Sequence, residues 1–426
     1  MLFCIWKIEA KFMRKAAIAF AVLVLLVATF AIFVSPLGLL NQLVPSPIKA
    51  KEITVPELTS KINNFTLELY GELLRDNWKR NVVVSPFNVY VALTLLYEGA
   101  NGTTRTEMGK VLDFIGVDPC NAYQQLLDSL PLSTDDDTAL IIANAVWLRE
   151  GFPFKTKYVE AVKKYYRAEV KYFNNVPQLV TEVNNWVSEK TRGLIKNILN
   201  PNAVSEDAVA VLVSAIYFKG EWVKKFKPIK SLRFQAGEKY VNVPGMEVIS
   251  DVIKVVHGAG YTAVEIPYKN TSITMVIIVP EKYNDIPVKY KELVLDALRR
   301  LNESNTEETV WLIMPKFNIT LKTNIVNYLQ NMGMTEVFTP GKADLTKMAN
   351  VKAGEIWVDK IIHQAVIKVN EKGTEAAAAT AIIVETGLPQ VGEKVIVNKP
   401  FIYMLRDKET NTILFIGHVI NPAETG

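Results

Sequence analysis

The chain has 426 residues, 49% hydrophobic, 10% aromatic and 22% charged, which excludes a disordered or fibrous protein and allows a large buried core. Bases exceed acids by four, and the first 50 residues hold that whole excess: Lys7, Lys11, Arg14, Lys15 and Lys49 against Glu9. The remainder is balanced, so it offers no field for a polyanion, and nucleic acid is excluded as a partner.

The first predicted element is a leader. Ala16–Val34 is an uncharged, almost wholly apolar run behind Lys11, Arg14 and Lys15. As a helix, at about 1.5 Å per residue, it nearly spans a hydrocarbon core. It is longer than a usual signal core and no clean cleavage box follows, so residues 1–35 read as a signal anchor, with a cleaved signal peptide as the alternative. Met13 is a second candidate start. The basic flank predicts that everything beyond the leader is exported, either anchored to the membrane or secreted. Residues 36–50 form a Pro-containing tether.

Residues 51–426 show no internal repeat and no second linker, and read as a single domain. Apolar spacing predicts a helix over 62–73. A short strand at 81–84 precedes a helix that Pro86 opens and that ends at Gly99; further helices fall at 158–166 and 180–189. Strands follow at 139–148, 209–218, 272–279, 309–314, 365–369, 395–397, 401–406 and 412–418. Runs such as ITMVIIV and ILFIG predict strands buried on both faces. Helices early and strands late, without strict alternation, indicate an α+β fold.

Enzyme chemistry finds little support. No P-loop, no strand-linked GxGxxG, no GxSxG and no HExxH occurs. Two cysteines, Cys4 and Cys120, exclude a disulfide framework and a Cys-rich zinc site. Cys120 reads as an unreactive thiol, and His257, His363 and His418 read as structural. No metal and no cofactor is expected. Five N-x-S/T sequons, at Asn64, Asn101, Asn270, Asn302 and Asn318, permit glycosylation.

One segment stands apart: EKGTEAAAATAIIVETGL, residues 371–388, between two predicted strands. Ala and Glu favour a short helix, but Gly373 breaks its start and β-branched residues follow at once. Small side chains behind a Gly hinge instead suit a segment that slides between packed strands. With period two, Thr374, Ala376, Ala378 and Thr380 face inward, and Glu375, Ala377 and Ala379 face outward.

In this segment and beyond, the chain resembles the serpins. Glu371, Gly373 and Thr374–Thr380 match the hinge of inhibitory members. VIVNKPFIYML (395–405) matches the family signature, with Asn398, Lys399, Pro400 and Phe401 in place. VVVSPFNV (82–89), NNWVSEKTRGLI (184–195), IYFKGEW (216–222), MPKF (314–317), MGMTEVF (332–338) and ADLT (343–346) agree in order and spacing. The resemblance implies three β-sheets, about nine helices and an exposed reactive loop. It implies that Trp222 lies at the top of the central sheet, and that Ser85 and His363 lie in a hydrogen-bonded cluster near its middle. Asn88 stands where the family has a second Ser and Ser214 where Asn is common, an exchange of amide and hydroxyl. His418 also departs, since a basic residue usually follows that Gly.

The resemblance further implies suicide inhibition of serine proteases, without catalysis by the inhibitor. A non-inhibitory carrier or chaperone is the alternative, and a membrane-anchored receptor or structural protein a third. The family's spacing from Glu371 puts the reactive bond at Gly387–Leu388, with Glu385–Thr386 and Thr386–Gly387 as alternatives; Pro389 disfavours cleavage after Leu388. Gly387 and Val384 suit an elastase-like or subtilisin-like target. A monomer is expected.

Overall fold

Capping side chains written into the sequence set the starts of three of the eight α-helices among the described residues. The computed structural model describes residues 50–135, 137–305, 308–374 and 392–424. Lys51–Glu52 (β1) leads into Val55–Asn77 (α1), where Thr54 and Glu57 form a reciprocal capping box. Val82–Val84 (β2) precedes Pro86–Gly99 (α2), capped by Ser85 with Pro86 in the first turn. Short elements follow: Gly102–Val111 (α3), Val117–Asp118 (β3), Cys120–Ser129 (α4) and Ser133–Thr134 (β4). Next come Thr138–Arg149 (β5), Thr156–Tyr166 (α5), Ala168–Phe173 (β6), Val176–Lys190 (α6, capped by Asn175) and Ala210–Glu221 (β7). The chain then runs through Lys227–Ala236 (β8), Lys239–Ser250 (β9), Lys254–Gly258 (β10), Tyr261–Pro267 (β11) and Ile273–Pro280 (β12). Ile286–Glu303 (α7), Val310–Pro315 (β13), Phe317–Asn324 (β14), Val326–Asn331 (α8) and Ile362–Asn370 (β15) come next. Gly373–Thr374 (β16), Glu393–Ile396 (β17), Phe401–Asp407 (β18) and Thr412–Val419 (β19) complete the order.

The strands form three principal sheets and a two-stranded β1–β3 pair. The seven-stranded sheet runs β14-β15-β16-β7-β5-β4, with β6 paired to β5. The six-stranded sheet runs β10-β11-β12-β18-β19-β2, and the four-stranded sheet β17-β13-β9-β8. Strands β12, β18 and β19 are buried along their whole length, which is why their sequences are unbroken apolar runs. Helices α1 and α2 pack on β19, and α2 also packs on β7. Helix α2 therefore ties two sheets together, and its polar N-terminus sits where they meet.

The fold is α+β, with eight α-helices among the described residues against the nine or so implied by the resemblance. Each strand predicted from an apolar run is present. Strands β8–β11 and helix α7 were not among the predicted elements; β8 is mostly exposed and has no apolar run, while α7 shows the apolar spacing of one buried helix face. By its contacts, Lys51–Gly426 forms one compact unit. Among the described residues no helix is long and apolar enough to cross a membrane; the leader and tether, 1–49, lie outside them.

Candidate functional site: the opening of the central sheet

Strands β7 and β15 run parallel to each other in the seven-stranded sheet, but among the described residues no ladder joins them directly. They are bridged at one end by the two residues of β16. Gly373 pairs with Asn370 and Glu221, and Thr374 with Val369 and Gly220, antiparallel on both sides. A side chain at Gly373 would collide with the Gly220 carbonyl oxygen, so the close approach requires glycine there.

Aromatic and charged groups hold this end. The Trp222 indole N–H donates to the Asn370 carbonyl at 2.9 Å, and the Trp222 and Phe226 backbone N–H groups donate to Lys372 and Glu371 at 2.9 and 2.8 Å. Tyr268 stacks on Trp222 at 4.3 Å with an interplanar angle of 18°, and its hydroxyl lies 2.5 Å from the Thr374 hydroxyl. Thr374 is buried, as the period-two alternation predicts. Lys316, between β13 and β14, pairs with Glu371 at 2.6 Å. Burial raises the Glu371 carboxyl pKa, but the Lys316 hydrogen bond and charge outweigh it and the net shift is downward.

The second part of the site lies lower on the sheet, where α2 approaches it. The Ser85 N–H donates to His363 Nε2 at 3.2 Å, so that nitrogen is an acceptor and the neutral ring carries its proton on Nδ1. Burial lowers the His363 pKa to about 4, which keeps the ring neutral. Ser85 Oγ donates to the Leu414 carbonyl at 2.7 Å and accepts from the Asn88 N–H at 3.3 Å. Asn88 Nδ2 donates to the Ser214 carbonyl at 2.6 Å, while Ser214 Oγ faces Asn88 Oδ1 and, at 2.8 Å, Asn144 Oδ1. Asn144 Nδ2 donates to the Tyr166 carbonyl at 3.0 Å. The Ser214 hydroxyl has one proton for two carboxamide oxygens, so one acceptor is always underserved.

Of the candidates named from sequence, Ser85, Asn88, Ser214 and His363 thus come together, and Trp222 lies with Gly373 and Thr374 at the end of the sheet. Asn88 and Ser214, the exchanged pair, are in direct contact. Glu375–Thr380 and the candidate reactive-bond residues Glu385, Thr386, Gly387 and Leu388 lie outside the described residues. Two members escaped the sequence reading, Asn144 and Tyr268, while Lys316 was seen only as part of the MPKF match and given no role. Asn144 carries a usable signal, as an amide interrupting the apolar run ALIIANAVWL.

Other candidates fall elsewhere. His418 is buried against the Tyr70 hydroxyl at 3.0 Å, and His257 pairs with Glu393 at 2.9 Å. Cys120 is half-buried beside Glu98 and Tyr166; burial, then the Glu98 charge, push its thiol well above the usual range, away from a reactive thiolate. Among the described residues no cluster of three or more acids, histidines or cysteines could hold a metal.

Between β7, the chain leading into β15, and α2 lies a cavity of about 500 Å³, lined in part by Asn88, Ser214 and His363. It lies at the level of the sheet where, among the described residues, β7 and β15 have no strand between them.

Known proteins are similar to this chain in sequence and fold. Residues 60–422 match the family model described as Serpin (serine protease inhibitor). The leukocyte elastase inhibitor of Xenopus tropicalis is 31% identical over 377 residues, covering 86% of this chain and 99% of the relative. An uncharacterised serpin-like protein of Pyrobaculum aerophilum is 32% identical, covering 87% of this chain and 97% of its own. Among solved structures, the thermophilic serpin tengpin in its native state superposes with a TM-score of 0.74 at 25% identity, over 88% of this chain and 97% of that one. With a family match across almost all of the folded unit, this chain belongs to the serpins.

Proposed function

We propose that this chain is a suicide inhibitor of serine proteases, acting through residues 51–426 as a monomer outside the cytoplasm, with the leader as anchor or signal. A target protease attacks the loop after Thr374 and forms an acyl-enzyme. The cut loop then completes the strand that β16 begins, carrying the tethered protease along the sheet. About 15 residues at roughly 3.3 Å each span on the order of 50 Å. The inhibitor itself performs no catalysis, and the unrealised strand is the stored driving force.

The observation that carries this reading is the double pairing of Gly373–Thr374 between β15 and β7. Extended by six residues in the same register, it brings Thr380 opposite His363 on one side and Ser214 on the other. A hydroxyl arriving there supplies the donor that Ser214 lacks for its second acceptor. Thr380 has the same parity as buried Thr374, so it enters on the side facing the cluster.

The reactive bond is Gly387–Leu388, with Glu385–Thr386 and Thr386–Gly387 as alternatives. Gly387 leaves a deep basic-specific pocket empty, and a relative's printed name, leukocyte elastase inhibitor, points the same way. The target class is therefore elastase-like or subtilisin-like. Incubation with elastase, subtilisin and trypsin, followed by denaturing electrophoresis, tests this. An SDS-resistant complex with either of the first two is expected. Cleavage with full release of every protease would leave a substrate or a carrier.

A further inference from the structure

The fold treats the five N-x-S/T sequons unequally. Sugar transfer needs the Asn amide and the hydroxyl two residues on to be presented together in a surface loop. Asn64 stands in the interior of α1, where residues two apart do not face each other; Asn64 is exposed and Thr66 buried. Asn302 lies in the last turn of α7, its Oδ1 held at 2.9 Å by the buried guanidinium of Arg406. Asn318 lies within β14, its backbone committed to the ladder opposite Lys368 of β15. Asn101, between α2 and α3, is half-buried, and its Nδ2 donates to Thr346 Oγ1 at 3.2 Å.

Asn270 differs on each count. It lies in the turn joining β11 to β12, exposed, in the left-handed region at φ 58°, which Asn tolerates. Its carboxamide has no hydrogen-bond partner among the described residues. The base of the turn is anchored. The Lys269 N–H donates to the Glu221 carbonyl at 2.8 Å, the Lys269 carbonyl accepts from the Thr138 hydroxyl at 2.9 Å, and the Tyr268 N–H donates to the Ile273 carbonyl at 3.2 Å. The Ser272 hydroxyl, third in the sequon, donates to the Asp407 carboxylate. Asp407 also accepts from the Thr410 N–H at 2.8 Å, so the acid keeps a partner when Ser272 turns toward a transferase.

We infer that Asn270 is an N-glycosylation site of the folded chain, the sugar donor being a polyprenyl diphosphate-linked oligosaccharide. Asn270 Nδ2 forms a bond to the anomeric carbon of the first sugar. The bond from that carbon to the diphosphate oxygen breaks, the electron pair leaves with the polyprenyl diphosphate, and a base of the transferase takes one Nδ2 proton. Acceptance by the folded chain needs nothing of the proposed function; modification in a cell rests on the export which that reading includes.

The test incubates the folded full chain, in mild detergent, with a single-subunit oligosaccharyltransferase specific for N-x-S/T and a polyprenyl diphosphate-linked oligosaccharide. Mass spectrometry of the glycopeptides then reads the occupancy of each sequon. Asn270 should carry most of the sugar. Asn270→Asp, which tolerates positive φ but lacks the amide nitrogen, should lose that product. Ser272→Ala should lose it as well, and Ser272→Thr should keep it. Near-ultraviolet dichroism establishes that each variant is folded. A bare Asn270, or equal occupancy of Asn64 and Asn318 on the folded chain, overturns the inference. Translation of the full chain with endoplasmic-reticulum microsomes separates the site from the export reading. Modification of the purified chain, with a translated chain that stays unmodified and accessible to added protease, sinks export and leaves the site. A translated chain protected inside the microsomes with Asn270 bare sinks the site and leaves export.

Discussion

Replacing Thr374 by Arg attacks the proposed mechanism at its first inserted residue. Thr374 is 3% exposed and hydrogen-bonded to Tyr268, whose ring packs against Trp222 and Phe218. A guanidinium there has to leave the sheet or be buried without a carboxylate: Glu375 is expected on the outward face, and Glu371 is already engaged by Lys316. An unpaired buried charge costs about 3–5 kcal/mol. If even about 3 kcal/mol of that falls on the insertion barrier, insertion slows by roughly a hundredfold while hydrolysis of the acyl-enzyme is untouched. The variant should therefore be cleaved as a substrate, with the stoichiometry of inhibition against elastase or subtilisin rising steeply and the SDS-resistant band fading. Thr374→Val is the control: it keeps the shape and loses only the Tyr268 contact, at about 1 kcal/mol, so it should remain an inhibitor. An unchanged stoichiometry in the Arg variant would refute the insertion reading.

Limited cleavage within 375–391 should raise the thermal midpoint well above that of the intact chain, because a new strand forms; equal midpoints by calorimetry would mean that the loop does not insert. Asn88→Ala and Ser214→Ala should be coupled by more than about 0.5 kcal/mol in a double-mutant cycle on thermal stability, given their direct contact. His363 and His418 both have folded pKa values lowered to about 4, chiefly by burial, from 6.5. Their neutral forms are favoured in the fold, so this contribution is fully present above about pH 6.5 and declines as pH falls toward 4, because the unfolded chain takes up the protons first. His418→Phe should flatten part of that acid-side slope in a series of thermal midpoints against pH; an unchanged slope would count against it. Gly387→Arg should create trypsin inhibition if Gly387–Leu388 is the reactive bond, and cleavage without a complex would move the bond elsewhere.

Much of the site was legible one residue at a time. The Ser85–Pro86 pair marks a capped helix start, whereas the small residues after Thr374 lie outside the described residues. The apolar runs of β12, β18 and β19 identify strands buried on both faces, because burial on both sides removes the need for polar alternation. Asn88 and Ser214 stood out as an exchanged pair through the family resemblance, before any contact between them was known. Tyr268 carried no such mark, since a tyrosine just past a strand is ordinary local sequence, and Lys316 was marked only as part of the MPKF match, with nothing to pair it with Glu371.

By itself the sequence determined many of the strands and helices, where several helices begin, and which family the chain resembles. Those properties depend on side-chain size, capping chemistry and periodicity, all of which act over a few residues. Only the tertiary structure decided that Gly373–Thr374 pairs on both sides, that Tyr268 meets Thr374 across 106 residues of chain, and that one Ser214 proton faces two acceptors. Period-two patterning assigns a residue to a face of a strand, but not the neighbouring strand or the register against it. Those follow from how the whole set of strands packs around α2, which no local window contains.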